Sequence, residues 1–278
     1  MQDMSEAEIS AELDALLACV GCVFLETLLD GRLEREEILI RKSIAARRPD
    51  LPVVLAHGAA LRRRIVAAQR RQPRALIWVA GSLPTVRWAI GQLSGRRVPA
   101  PDDYPRCLRA QLRRALWRSS LGRLRHELTF RTLQAPVFVK PARCKAFVAT
   151  RVQSAADLQG FEAVGGAAPI WCAAWVRWRS EWRAYVWRGR LLAIEHYDGD
   201  SSATLDVDLV QRCARHHYDC TGLAACALDW GVLDDGRTAL VEANDAYAIG
   251  AYGQISADHY ALFLLSRWQQ LCIDARHS

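Results

Sequence analysis

A predicted β-hairpin near the C-terminus constrains the fold of this chain more than any other segment. Two strand-like runs, residues 225–233 and 238–244, flank Asp235 and Gly236, a residue pair favoured in two-residue type I′ turns. Successive side chains of a strand point to opposite faces of the sheet. The register of the hairpin therefore decides which side chains meet on one face.

That register brings oxygen-bearing side chains together. If Asp234 pairs with Arg237, then Asp229 lies directly opposite Glu242, and Asn244 follows two residues later on the same face. Two opposed carboxylates on a mostly apolar hairpin repel each other unless a cation lies between them. Oxygen ligands of this kind suit Mg²⁺ or Mn²⁺. Two alternatives stay open: one carboxylate points to solvent, or the turn has three residues and the register shifts.

A second segment carries an unusual share of the lysines. Among 37 basic residues only Lys42, Lys140 and Lys145 are lysines, and the last two flank Arg143 between strand-like runs at 137–141 and 146–150. A loop with these cations could offset phosphate charge. The alternative for Lys140 is an edge-strand lysine whose ammonium group extends to solvent.

Residues 181–187 alternate in the manner of a half-buried strand. Glu181, Arg183 and Tyr185 share one face, whereas Trp182 and Val186 face the core. Arg183 could therefore stabilise a developing phosphoryl charge. A surface ion pair between Glu181 and Arg183 is the alternative, and such a pair would contribute little.

The N-terminal part alternates between helices and strands. Ser5 and Glu8 form a capping-box signature before an amphipathic helix, and a second helix is predicted at 33–47. Strands at 52–56 and 75–80 are each followed by a glycine and a helical stretch, which predicts a parallel sheet.

The pattern changes in the middle of the chain. A long basic helix is predicted at 106–128, and we place the main boundary near residue 133. The predicted regions are an N-terminal α/β and helical region at 1–133 and a core at 134–278, itself divided into 134–175 and 176–278. The core is α+β, and its remaining predicted strands and helices are 170–176, 190–197, 155–162, 207–217 and 256–271.

Composition narrows the class of protein. With 278 residues, 51% hydrophobic content and a net charge of +7, the chain is a globular protein and not disordered, collagenous or coiled coil. The longest apolar runs are too short to cross a membrane, and the acidic N-terminus does not resemble a secretory signal. We therefore expect a cytoplasmic protein with reduced cysteines.

Two groups of cysteines need a separate interpretation. Cys19 and Cys22 form a lone CxxC within an apolar run that is predicted to be helical, so zinc or redox chemistry there is disfavoured. A further cysteine and histidine group has no standard zinc spacing and is interpreted as packing: Cys213, His216, His217, Cys220 and Cys226.

The positive charge raises the alternative of a nucleic-acid-binding module. In that alternative, tryptophans such as Trp175, Trp178, Trp182 and Trp187 would stack on bases. The arginines are spread over several segments and no known nucleic-acid motif is present, so solvated helix faces and core packing are the favoured interpretation and nucleic acid is not the expected partner.

The segments together resemble the ATP-grasp superfamily of ligases, and within it a small RimK-related group. The resemblance covers most of residues 81–255. Its carriers are Gly81-Ser82, Tyr104-Pro105, Val137 to Pro141 with Lys145 and Phe147, Ser180 to Arg183, Leu228 to Val232, Val241 to Ala246, and Tyr252-Gly253.

The resemblance implies an ATP-grasp fold, in which two α+β subdomains enclose ATP, preceded here by an N-terminal α/β domain. Asp229, Glu242 and Asn244 would hold Mg²⁺ or Mn²⁺, and Arg183 and Lys145 would be catalytic. The other implied nucleotide contacts are Lys140 near the adenine and α-phosphate, the hinge residues Cys172, Ala174, Trp175 and Val176, and Glu181. Alanine replaces an acidic residue common in the family hinge, and the flap has no glycine-rich phosphate loop.

The implied activity is that of an ATP-dependent carboxylate-amine or carboxylate-thiol ligase. Its substrate would be a small acid, an amino acid or a peptide, activated as an acyl phosphate. The same fold also permits a kinase or a nucleotide-binding protein without catalysis. The oligomeric state is not predicted.

Overall fold

The computed structural model describes residues 4–133, 136–142, 147–161 and 164–273. Its N-terminal elements are α1 (Glu6–Ala18), β1 (Val20–Glu26), α2 (Arg35–Arg47), β2 (Val53–Ala56), α3 (Gly58–Arg71), β3 (Leu76–Ala80) and α4 (Leu83–Ser94). The three strands form a parallel sheet in the order β2-β1-β3. The parallel sheet predicted from the βα alternation is confirmed, and so is the capping box at Ser5 and Glu8.

The prediction that Cys19 and Cys22 lie within one helical run is wrong. Helix α1 ends at Ala18, and Cys22 is buried on β1 while Cys19 is exposed. β1 is the central strand of the sheet, and its β-branched and aromatic residues, such as Val23 and Phe24, are buried. Pairing on both edges of this strand therefore outweighs its helical periodicity.

The long helix predicted at 106–128 is also wrong. The segment consists of a short 3₁₀ helix at Arg106–Leu112, strand β4 (Leu116–Ser120) and helix α5 (Leu121–Thr129). Arg113 has a positive φ of 48°, which ends the first helical turn. Ser120 then caps α5, because its side chain accepts a hydrogen bond from the Arg123 N–H.

The second sheet contains β4 and three later strands. These are β5 (Val137–Pro141), β6 (Thr150–Val152) and β7 (Pro169–Ala174), with a short 3₁₀ helix at Ala155–Leu158 where a helix at 155–162 was predicted. The sheet is antiparallel in the order β4-β7-β5-β6. The boundary predicted near residue 133 falls inside this unit, because β4 pairs with β7. We therefore propose a boundary before residue 116.

The third sheet carries the predicted hairpin. Its strands and the last helices are β8 (Trp178–Trp187), β9 (Arg190–Gly199), α6 (Val207–Thr221), β10 (Ala225–Leu233), β11 (Thr238–Asp245) and α7 (Ala257–Ile273). All pairs are antiparallel, and the strand order is β11-β10-β8-β9. The two α+β units that follow the N-terminal sheet confirm the fold class predicted from the sequence.

Different helices cover the two faces of the third sheet. Leu228 and Trp230 pack on the side of α6, whereas Tyr185 and Ala227 share a core with α7 and the N-terminal sheet. Because alternate residues share a face, the next side chain after Ala227 on the α7 side is that of Asp229. Charged residues therefore begin where the apolar half of this face ends.

Helix α7 joins the N-terminal sheet to the third sheet. The Trp268 indole N–H donates to the carbonyl oxygen of Ile77 at 2.8 Å, and the Trp187 indole N–H donates to Ser266 Oγ at 2.8 Å. These buried bonds fix both sheets relative to one helix. No helix in the described part of the chain is long and apolar enough to span a membrane.

Candidate functional site

Four charged side chains form a row across the third sheet. Glu195 on β9 pairs with Arg183 on β8, Arg183 pairs with Asp229 on β10, and Asp229 pairs with Glu242 on β11. Residues directly opposite each other in antiparallel strands point to the same face. One face of the sheet therefore presents acid, base, acid and acid in register.

The predicted opposition of Asp229 and Glu242 is confirmed, but the predicted turn is wrong. The Leu233 N–H donates to the Arg237 carbonyl at 2.9 Å, so the turn has three residues and ends at Gly236, whose φ is 82°. A longer turn alone would shift the pairing by one residue. A bulge between Asp229 and Trp230 restores it, because Trp230 pairs with Leu240 while Asp229 pairs with Glu242. The extra residue is Val241.

Arg114 holds this bulge from the neighbouring segment. Its Nη1 donates to the Leu240 carbonyl at 2.7 Å, and its Nη2 donates to the Val241 carbonyl at 2.7 Å. Burial lowers the pKa of Arg114, although Tyr104 and Glu242 counteract part of this effect. A guanidinium group thus binds the carbonyl of the residue that sets the register of Glu242.

Asp229 and Arg183 form a buried bidentate ion pair. Arg183 Nε lies 2.8 Å from Asp229 Oδ1, and Nη2 lies 2.8 Å from Oδ2. Burial raises the pKa of Asp229, whereas its hydrogen bonds from Arg183 favour the ionised form. Arg183 Nη1 also donates to the Gly250 carbonyl at 3.2 Å, and the Tyr252 ring lies 4.4 Å from the guanidinium carbon. The predicted pairing of Arg183 with Glu181 does not form.

Glu242 is held by an ammonium group and an amide. Lys140 Nζ lies 2.6 Å from Glu242 Oε2 and 2.7 Å from Asp103 Oδ2. Although burial raises the pKa of Glu242, Lys140 and Asn244 bring it below its usual value. Burial likewise lowers the pKa of Lys140, but Glu242, Tyr104 and Asp103 raise it above its usual value. Lys140 is therefore not a solvent-exposed edge lysine.

Asn244 connects the two carboxylates. Its Nδ2 lies 3.1 Å from Asp229 Oδ2 and 3.2 Å from Glu242 Oε1. A rotation of the terminal amide group would present its oxygen to the same point. Two carboxylates and one amide around this point form an oxygen donor set suited to Mg²⁺ or Mn²⁺.

No group of three or more His, Cys, Asp or Glu residues able to hold a metal ion occurs among the described residues. A metal at the hairpin therefore depends on Asn244 as the third ligand beside Asp229 and Glu242. In the cysteine and histidine group, His217 contacts Cys226 and His216 contacts Cys220. These are separate pairs, in agreement with the interpretation of this group as packing.

Glu181 lies on the same face, closer to the hinge. Its Oε2 accepts a hydrogen bond of 2.9 Å from the Tyr197 hydroxyl. Burial raises the pKa of Glu181, and this hydrogen bond counteracts part of the rise. The Tyr197 ring stacks on Tyr252 with centroids 4.7 Å apart. The two tyrosines therefore link Glu181 to the ring that covers Arg183.

The predicted hinge lies between β7 and β8. Cys172 is buried in β7, and the Ala174 N–H donates to the Ala115 carbonyl at 2.9 Å. The Trp175 N–H makes a long bond of 3.4 Å to the Pro136 carbonyl, and its side chain is 42% exposed. Among the described residues, the Val176 N–H has no hydrogen-bond acceptor. Trp175 and Val176 are therefore the hinge residues best placed to contact a ligand.

Sequence analysis missed several side chains of this site and named one that lies outside the described residues. Lys145, together with Arg143, belongs to the segment 143–146, which the structure does not describe. Asp103 and Arg114 were missed because residues 106–128 were interpreted as one helix. The aspartate preceding the Tyr104-Pro105 pair was the available signal for this contact.

Comparisons with known proteins show the family of this fold. Residues 112–262, more than half of the chain, match the model of an ATP-grasp domain family, the second family of its clade. No curated protein sequence matches the chain.

Solved structures of similar fold include the D-alanine--D-alanine ligase of Bacillus anthracis complexed with ATP. It has a TM-score of 0.52 and 14% identity, and the match covers 91% of this chain and 95% of that one. The RimK domain ATP-grasp protein of Sphaerobacter thermophilus has a TM-score of 0.50 and 17% identity, with 88% and 100% covered. N5-carboxyaminoimidazole synthase of Aspergillus clavatus, in complex with ADP and 5-aminoimidazole ribonucleotide, has a TM-score of 0.52 and 13% identity, with 88% and 77% covered. At these identities the similarity concerns the fold.

Proposed function

Because the chain belongs to the ATP-grasp superfamily, we propose that it is an ATP-dependent ligase that joins a carboxylate to an amine or a thiol. The observation that carries this proposal is the row in which Asp229 and Glu242 oppose each other while Arg183 and Lys140 approach from either side. Phosphoryl transfer requires positioning and charge stabilisation more than a nucleophilic side chain, and this row offers both.

Asp229, Glu242 and Asn244 would hold Mg²⁺ or Mn²⁺, which supplies positive charge to the phosphates when it is bound. Asp229 also orients Arg183 through both of its carboxylate oxygens. Lys140 already contacts Glu242 and can move between that carboxylate and a phosphate oxygen without leaving the site. The loop with Lys145 would add a second ammonium group.

Arg183 is the residue we assign to the transferred phosphoryl group. Its Nε, Nη1 and Nη2 donate to Asp229 and Gly250, which fixes the plane of the guanidinium group. The second N–H of Nη1 and of Nη2 has no protein acceptor among the described residues, so both can donate to phosphoryl oxygens. Preorganised donors of this kind stabilise charge that develops in the transition state.

The proposed reaction has two steps. A carboxylate oxygen of the substrate attacks the γ-phosphorus of ATP, the bond to the β–γ bridging oxygen breaks, and an acyl phosphate and ADP form. An amine or thiol then attacks the acyl carbon, and the carbon–oxygen bond to phosphate breaks as inorganic phosphate leaves. An amino acid or a peptide is the substrate class that we propose for the carboxylate. The nucleotide base would lie at Trp175 and Val176.

The proposal is tested by a screen for ADP release with amino acids and short peptides, followed by mass spectrometry of the products. Substrate-dependent ADP release is expected for the wild-type chain and for Asp235→Asn, because Asp235 lies at the exposed turn of the same hairpin. The release is expected to disappear in Asp229→Asn. Equal release by Asp229→Asn and Asp235→Asn would contradict the proposed site, and products without a new amide or thioester bond would contradict the proposed reaction.

A further inference from the structure

The segment that precedes the family-matched residues reaches into the proposed nucleotide site. Asp103 lies outside the match, which begins at residue 112. Its carbonyl accepts a hydrogen bond of 2.9 Å from the Ala243 N–H, so its backbone is attached to β11 between Glu242 and Asn244. Its carboxylate lies 2.7 Å from Lys140 Nζ. The linker between the N-terminal sheet and the later sheets thus supplies a charge to the site.

Lys140 is shared between two carboxylates in a poorly hydrated place. The exposed fraction of its side chain is 14%, and that of Asp103 is 16%. Glu242 is more accessible, at 27%. The Tyr104 ring lies 5.3 Å from the same ammonium group and covers another side of it. Water can therefore replace neither carboxylate fully if one of them is withdrawn.

We propose that Asp103 is a positioning residue that retains the Lys140 ammonium when Glu242 binds a divalent cation. This inference rests on the proposed function, since it takes Glu242 as a metal ligand. Asp103 acts through Lys140 and does not itself contact the metal.

The argument is one of charge compensation. A cation that binds Glu242 competes with the Lys140 ammonium for the same carboxylate. With Asp103 present, Lys140 keeps an ionised partner after Glu242 has turned to the metal. Without Asp103, either Lys140 stays on Glu242 and excludes the metal, or a nearly buried ammonium group loses its last carboxylate. Both outcomes weaken metal binding.

The experiment measures the affinity for Mn²⁺ from the free-ion signal in electron paramagnetic resonance, with and without a non-hydrolysable ATP analogue. Asp103→Asn removes the charge and keeps the shape of the side chain. We expect it to weaken Mn²⁺ binding by about tenfold or more, since close charge pairs commonly couple this strongly. Asp102→Asn is the matched control, because Asp102 is exposed and is the neighbouring residue. It should leave the affinity unchanged, and Asp103→Glu should retain most of it.

A second background separates positioning from a merely structural role. In Lys140→Met there is no ammonium to retain, so adding Asp103→Asn should not weaken Mn²⁺ binding further. A structural role for Asp103 would weaken binding to the same extent in both backgrounds, and that result would overturn the inference.

The remaining outcomes distinguish this inference from the proposed function. If Asp103→Asn and Asp102→Asn bind Mn²⁺ equally well, the inference is overturned while the metal site stands. If the wild-type chain binds no Mn²⁺ in either condition, the metal assignment fails, and the inference fails with it.

Discussion

Asp229 lies directly opposite Glu242 because a three-residue turn and a bulge at Val241 shift the pairing in opposite directions. Either feature alone would place a different residue opposite Asp229. The geometry of the proposed site thus depends on a backbone irregularity as well as on the two acidic residues. Arg114, which binds the carbonyls of Leu240 and Val241, belongs to the same arrangement.

ATP with Mg²⁺ is expected to raise the melting temperature of the chain, because a ligand that binds only the folded state stabilises it. Glu242→Gln and Asp229→Asn should each lose most of this shift, since each removes a carboxylate from the donor set. Differential scanning fluorimetry at several ATP concentrations measures the effect, and Asp235→Asn serves as the control. A full shift in both variants would exclude a metal at these two residues.

Lys140→Arg is expected to weaken ATP binding although it preserves the charge. A compact ammonium group lies within 2.7 Å of carboxylates on two different segments, and a planar guanidinium group cannot reproduce that arrangement. Isothermal titration calorimetry with ATP measures the change. Lys42→Arg, at an exposed position, should bind ATP like the wild-type chain. Unchanged affinity in Lys140→Arg would show that Lys140 is only structural.

Arg114→Met should lower the free energy of unfolding by about 2 kcal/mol, because two carbonyls would lose charged hydrogen-bond donors. It should also reduce the ATP-induced stabilisation, since the bulge that orients Glu242 would lose its support. Urea denaturation with and without ATP measures both effects. Arg109→Met, at an exposed position of the preceding 3₁₀ helix, is the control. A loss of stability with an unchanged ATP effect would separate the bulge from the site.

Glu37→Gln should remove part of the pH dependence of stability. Glu37 on α2 is 4% exposed, and its Oε2 has no hydrogen-bond partner among the described residues. Burial raises its pKa from 4.5 to about 7, and the neighbouring Glu36 and Glu34 contribute to the rise. The folded state therefore binds more protons than the unfolded state between these values, so stability falls as pH rises from 4.5 to about 7.

The contribution of Glu37 is on the order of 3 kcal/mol, because each pKa unit corresponds to about 1.4 kcal/mol. Thermal denaturation from pH 4 to pH 8 is the measurement. The stability of Glu37→Gln should decline less over this range than that of Glu34→Gln, whose side chain is exposed in the wild-type chain. Parallel profiles for the two variants would show that Glu37 is not protonated in the folded state at neutral pH.

The sequence by itself determined the parallel N-terminal sheet, the antiparallel hairpins and the meeting of Asp229 with Glu242. These features follow from local periodicity and from side chains that repeat along a strand. Arg183 was also predicted on the correct face, since the alternation over 181–187 is regular. Its partner was not predicted, because pairing across β8 and β10 is a contact between segments distant in the chain.

Only the tertiary structure decided the remaining features. The central strand β1 competes with a helical pattern, and its two neighbouring strands resolve that competition in favour of pairing. β4 was concealed within an apparently continuous basic helix, because its edge pairs with β7 far along the chain. The contact of Asp103 with Lys140 depends on both of these non-local placements. Periodicity records which face a residue occupies, whereas packing between sheets decides which faces meet.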